Sequence, residues 1–153
     1  MIACGKCNEC IDGTQNLCGQ RDLIGMYRAG AFAEQIAIPE QNLIELPEDM
    51  SSAHAALTEP GSTALHAVLL AERAMARPVS ESRALVIGAG SVGLLTALIL
   101  KDKGISYIDI AETNKLRRNT IKQHTDLQVI DPLNQSLEPS SYDVVFDAVG
   151  RSS

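Results

Sequence analysis

The sequence predicts an α/β protein built on a parallel sheet, and three observations carry that expectation. Short apolar runs of β-branched type alternate with helical segments from Ala84 onward. A glycine-rich hexapeptide, Gly88-Ala89-Gly90-Ser91-Val92-Gly93, falls where the first of these runs meets the helix after it. All four cysteines lie between Cys4 and Cys18, ahead of the alternating part. With 153 residues, 45 % hydrophobic and 21 % charged, the chain can bury a core of its own.

The elements follow in chain order. After the cysteine loop, "GAFAEQIAIP" (Gly30 to Pro39) alternates apolar and polar residues, which predicts a strand. "NLIELPEDMS" reads as a short extended piece and a turn at Pro47. Ser51 has the chemistry of an N-cap for "AHAAL". Glu59-Pro60-Gly61 is expected to break that helix, and "STALHAVLLAERAM" (Ser62 to Met75) to resume it. "ARPVSES" is a connector, which divides the chain into residues 1–78 and 79–153. Beyond it, "RALVIGAG", "SYIDIAE", "LQVID" and "YDVVFDAVG" read as strands, and "SVGLLTALILKDKG" and "TNKLRRNTIKQHT" as helices. "PLNQSLEPSSY", before the fourth strand, is too short to hold a helix.

Composition excludes several functions. Thirteen basic against nineteen acidic residues give a net charge of −6, and no basic run offers a nucleic-acid surface. Aromatics are 3 % with no Trp, too few for a base-stacking platform. The longest apolar stretch, Ala84 to Leu100, is interrupted by three glycines, a Ser and a Thr, so no membrane span is expected. No basic-then-apolar leader precedes the cysteines, which points to a reducing, cytoplasmic setting.

Cys4, Cys7, Cys10 and Cys18 are spaced C-x2-C-x2-C-x7-C. Such tight spacing suits thiolates converging on one ion better than a disulfide framework. Zinc takes four sulfurs tetrahedrally, and a site with four protein ligands has no open position, so its role is structural. Gly5 and Gly13 supply the turns, and Lys6 offsets thiolate charge or is simply solvated. An iron–sulfur cluster is the chemical rival, although the seven-residue gap and the missing Pro depart from the ferredoxin run. Unligated structural or reactive thiols are the third reading.

The hexapeptide matches G-x-G-x-x-G between a predicted strand and a predicted helix. In a dinucleotide site Gly88 makes the tight turn, Gly90 lets backbone approach the pyrophosphate, and Gly93 allows helix and strand to pack closely. Ser91 and Val92 then lie at the helix mouth, where free N–H groups attract an anion. Glu112, 24 residues past Gly88, ends the second strand, where a carboxylate reaches ribose hydroxyls. Repulsion of a 2′-phosphate by that carboxylate, about 4 kcal/mol per charge pair at 4 Å and an effective dielectric of 20, favours NAD over NADP. Asp109 is the competing acid, but alternation places it within the strand. Arg117 and Arg118 read equally as adenosine contacts or as solvent-facing residues. A strand-to-helix turn without a ligand is the bland alternative for the whole loop.

Together these stretches resemble the zinc-dependent medium-chain alcohol dehydrogenases, in particular their sorbitol, butanediol and other polyol dehydrogenase branch. The resemblance rests on "CGKCNECIDGTQNLC", "GAFAEQIAIP", "ALTEPGSTALHAV", "ALVIGAGSVGLL", "AETNKLRR" and "DVVFDAVG", in the family's order. It implies part of a GroES-like lobe with a structural-zinc loop, followed by a Rossmann-type sheet. It assigns Cys4, Cys7, Cys10 and Cys18 to the structural zinc. Gly88, Gly90 and Gly93 go to the pyrophosphate, Glu112 to the ribose, and Val149 and Gly150 to the nicotinamide side. Glu59 falls where the branch has a glutamate close to the catalytic zinc and its water; as bare residues, Glu59-Pro60 reads equally as a cap or surface feature. The implied reaction is hydride transfer from a secondary alcohol, a polyol or sugar alcohol, to NAD, in a homo-oligomer of the full-length enzyme. The Cys and the His-Glu pair that hold the family's catalytic zinc have no match in this sequence, and His54, His66 and His124 read as ordinary helix residues. The family's last two sheet strands are also without a match. The chain by itself is therefore expected to show no turnover; a non-catalytic NAD-binding or zinc-dependent interaction module is the alternative.

Overall fold

The computed structural model describes residues 1–150, so the last three residues of the expected 79–153 segment lie outside the described residues. The chain divides into two compact units, Met1–Met50 and Ser51–Ser153.

The first unit holds little regular structure. One helical turn, α1 (Asn8–Ile11), follows Cys7, and single 3-10 turns form at Gln15–Leu17 and Glu40–Asn42. Backbone bonds between Ile2 and Asp22 tie the start of the chain to the residues after the cysteine loop. The strand expected over Gly30–Pro39 does not form, and these residues are irregular. Alternation specifies which face a strand would bury, but a strand also needs a hydrogen-bonding neighbour. None pairs with this segment among the described residues, and Phe32 is fully exposed.

The second unit is the predicted α/β sheet. Its elements are α2 (Ser52–Ala55), α3 (Thr58–Ala74), β1 (Arg83–Ile87), α4 (Ser91–Asp102), β2 (Tyr107–Ala111), α5 (Lys115–His124), β3 (Gln128–Ile130) and β4 (Val144–Asp147). The four strands run parallel in the order β3-β2-β1-β4. β1 sits inside the sheet, and its Ala84, Leu85 and Val86 are all buried, as strands covered on both faces require. Ile108, Ile110 and Val129 from the neighbouring strands join Ala97, Leu100 and Ile121 of the helices in one core. No helix separates β3 from β4, as expected for that connector.

Ser51 caps α2 as its chemistry suggested, its hydroxyl accepting from the His54 N–H at 3.2 Å. The expected helix break at Glu59-Pro60-Gly61 is corrected: these residues form the first turn of the continuous helix α3. Pro60 lacks an N–H, but the first-turn N–H groups have no intrahelical acceptor to lose. Val68 of α3 is fully buried in the core formed with α4 and the sheet. Residues 51–78 thus group with the sheet. At its other end α4 closes on Gly104. There the N–H groups of Gly104 and Ile105 reach the carbonyls of Lys101 and Leu100 at 2.9 and 3.1 Å. No helix among the described residues is long and apolar enough to cross a membrane.

Candidate functional site

The first unit gathers its four thiols into one cluster. Gly5 and Gly13, both with positive φ, turn the chain on either side of α1, and α1 carries Cys10 inward. The Sγ atoms of Cys4, Cys7, Cys10 and Cys18 all lie within 4.8 Å of one another, Cys7 and Cys10 at 3.4 Å and Cys4 and Cys10 at 3.9 Å. A tetrahedron with metal–sulfur bonds of about 2.3 Å has sulfurs about 3.8 Å apart, so the donor set fits one zinc ion. Cys10 and Cys18 are buried, and all four thiols are free of disulfides. Backbone N–H groups of Lys6 and then Cys7 point at the Cys4 thiol and hold its pKa down to about 6. Cys7 moves the other way. The Cys10 N–H lowers its pKa, but Glu9, the Cys10 thiol and burial together outweigh that and raise it. A cation bound among the four sulfurs would favour their thiolate forms.

The second unit builds a cleft of about 560 Å³ at the carboxyl ends of β1, β2 and β4. Gly88, Gly90, Glu112, Arg117 and Val149 line it, bringing together five of the nine residues expected around a dinucleotide. Gly88 takes φ +92°, and a Cβ there would stand 2.9 Å from Val149 Cγ2. A Cβ on Gly93 would lie 2.0 Å from the Gly88 carbonyl oxygen, so helix and loop approach as closely as the spacing implied. Gly90 has open space on its Cβ side, which leaves its backbone approachable. Ser91 and Val92 begin α4, whose N-terminus has no side-chain cap and keeps its first-turn N–H groups free. Gly150 is exposed beside Val149 at the end of the described chain.

Glu112 is the electrostatic centre of this cleft, with only 5 % of its surface exposed. One carboxylate oxygen accepts from the Ala89 N–H at 2.8 Å and the other from the Asn114 N–H at 2.7 Å. Burial opposes ionisation, but these N–H donors and the Arg117 guanidinium, 3.5 Å away, outweigh it and hold the pKa below its ordinary value. The acid thus clasps the glycine loop to the end of β2; Oε1 keeps a lone pair for a further donor, while Oε2 already meets the Ala89 N–H and Arg117. Asp109 lies inside β2, as alternation implied, and accepts from the Tyr142 hydroxyl at 2.7 Å.

The two arginines separate. Arg117 is exposed at the rim of the cleft. Arg118 is 15 % exposed and bonded throughout: Nη1 donates to the carbonyls of Glu112 and Thr113 at 2.8 and 2.6 Å, and Nη2 lies 2.6 Å from Asp131 Oδ2. Asn114, which caps α5 through the N–H groups of Leu116 and Arg117, also lines the cleft. Sequence reasoning opened that helix at Thr113 and missed Asn114, though an Asn ahead of a polar helix is a readable cap signal. Glu59 is not brought into the cleft: it is exposed in the first turn of α3. Among the described residues the cysteine cluster is the one group of three or more side chains arranged to hold a metal.

Comparison with known proteins agrees with this division. Residues 1–48 match the alcohol dehydrogenase GroES-like domain. The L-threonine 3-dehydrogenase of Rhizobium etli (strain CIAT 652) is 33 % identical over 136 residues, covering 89 % of this chain and 38 % of the relative. A zinc-binding dehydrogenase-class structure from Sinorhizobium meliloti 1021, bound to NADP, superposes with a TM-score of 0.80 at 27 % identity, covering 95 % of this chain and 44 % of that one. Galactitol-1-phosphate dehydrogenase from Escherichia coli superposes with a TM-score of 0.71 at 27 % identity, covering 88 % and 38 %. The chain thus spans under half the length of the relatives it matches. Along its length the chain is similar to the zinc-dependent medium-chain alcohol dehydrogenases.

Proposed function

We propose that this chain carries the structural-zinc loop and the dinucleotide site of an enzyme that moves hydride between a secondary alcohol and NAD. The observation that carries the reading is the clasp of Glu112 on the glycine loop, beside the uncapped start of α4. Gly88 and Gly90 let the pyrophosphate approach, the N–H groups of Ser91, Val92 and Gly93 receive its charge, and Glu112 accepts from the adenosine ribose hydroxyls. Arg117 covers the adenosine at the rim, and Val149 and Gly150 border the nicotinamide. Bound NAD supplies the hydride acceptor. Cys4, Cys7, Cys10 and Cys18 hold a zinc that fixes the first unit and has no open position for substrate. Reduced thiols fit a cytoplasmic setting.

The substrate reading is a polyol or sugar alcohol, supported by the Glu59-Pro60-Gly61 motif and by a galactitol-1-phosphate dehydrogenase among the structural relatives. The full enzyme is read as a homo-oligomer. The residues present do not fit a catalytic zinc, because among the described residues Glu59 belongs to no group of three or more metal-ligating side chains. The chain alone then binds NAD without turnover, and the reading as a binding module draws on the same observation. Calorimetry of the zinc-loaded chain is expected to give NAD about tenfold tighter than NADP. Binding of neither nucleotide overturns the dinucleotide site, and equal binding overturns the role given to Glu112. Chelator-sensitive reduction of NAD in the presence of zinc and polyols would contradict the absence of turnover.

A further inference from the structure

The adenosine end of the cleft is held by residues that touch no ligand. Arg118 is on α5, yet its guanidinium faces away from solvent and spans two loops. On one side it grips the Glu112 and Thr113 carbonyls, the backbone from which the Glu112 carboxylate hangs. On the other it meets Asp131, 17 % exposed, at the end of β3. Asp131 in turn orders the next turn, accepting from the Leu133 N–H at 3.1 Å and from Asn134 Nδ2 at 3.0 Å. That turn presents Pro132 to the cleft that Glu112 also lines. In strand order the glycine loop belongs to β1, the ribose acid to β2 and Pro132 to β3. A nucleotide running outward from the loop therefore brings its adenine between the two walls that Arg118 joins.

We propose that Arg118 and Asp131 are positioning residues that set the gap for the adenine of the dinucleotide, an inference that rests on the dinucleotide reading above. The forked guanidinium suits this task because one plane bonds two carbonyls and a carboxylate at once; a lysine reaches only part of the set. Arg117, at the rim, touches the Glu112 carboxylate but neither wall carbonyl, so it does not substitute.

Calorimetry on the full zinc-loaded chain tests this, with AMP and inorganic pyrophosphate as separate probes and thermal unfolding in parallel. Arg118→Ala is expected to weaken AMP about tenfold while pyrophosphate binding stays unchanged. Arg118→Lys is expected to recover part of the loss. Arg118→Ala combined with Asp131→Ala is expected to lose less than the two single losses together, the mark of a coupled pair. If Arg118→Ala fails to fold, Arg118→Lys and Asp131→Asn carry the test, each weakening AMP selectively. Equal loss of AMP and pyrophosphate, or AMP binding unchanged in folded variants, overturns the positioning role while leaving the dinucleotide site standing. Failure of the unaltered chain to bind either probe overturns both.

Discussion

Gly93 shows how tightly single residues constrain the glycine loop. Its missing Cβ would sit 2.0 Å from the Gly88 carbonyl, a backbone atom that cannot step aside. Gly93→Ala is expected to cost about 2–3 kcal/mol of stability, read as a lower urea midpoint with an unchanged slope. A shift within about 0.5 kcal/mol would contradict the close approach. Glu112 gives a pH signature. Its pKa is held below the ordinary 4.5 in the folded state, so its contribution is present above the unfolded value and is lost as pH falls through the folded one. Unfolding free energy is expected to decline from about pH 5 downward, and Glu112→Gln to flatten that decline. An unflattened profile would remove the stabilisation assigned to the N–H donors and Arg117 around this carboxylate. These residues were legible in the sequence because their spacing is local: a six-residue loop, and an acid one strand further on. Arg118 and Asp131 were not. They lie thirteen positions apart in sequence and meet only once β2 and β3 have paired.

At the level of elements, the sheet was readable and the first unit was not. The run Ala84–Ile87 is apolar on both faces and Ile108–Ala111 is interrupted only by Asp109, and a nearly continuous apolar run leaves little freedom in where it packs. Gly30–Pro39 carries the alternation of a strand but has no neighbour among the described residues to complete the ladder. Periodicity records one face of a strand, and pairing is decided elsewhere in the chain. The same limit applied at Pro60, where the residue type suggested a break but its position in the first turn of α3 made it harmless. Pro60→Ala is therefore expected to change stability by less than about 0.5 kcal/mol and to leave helicity by circular dichroism unaltered. A gain of helical signal would mean that the proline does interrupt the segment. Asn114→Ala, by contrast, removes two capping bonds from α5 and is expected to cost about 1 kcal/mol.

For the molecule as a whole, the two units rely on different physics. The second has a buried apolar core that binds strands to helices. The first has three short helical turns and an exposed Phe32, Ile44 and Leu43, so its order depends on the thiol cluster. Chelation, or Cys18→Ser, is expected to abolish slow amide exchange around α1 while the core strands keep theirs; retained protection around α1 would separate that fold from the metal. Together the two units predict one sulfur-bound ion and one dinucleotide on the same chain. Native mass spectrometry of the chain titrated with NAD tests both parts in one spectrum. The expected ion is heavier than the bare chain by one zinc and gains the mass of one NAD as the nucleotide saturates. A metal-free ion, or a zinc-loaded one that takes up no nucleotide, would contradict this expectation.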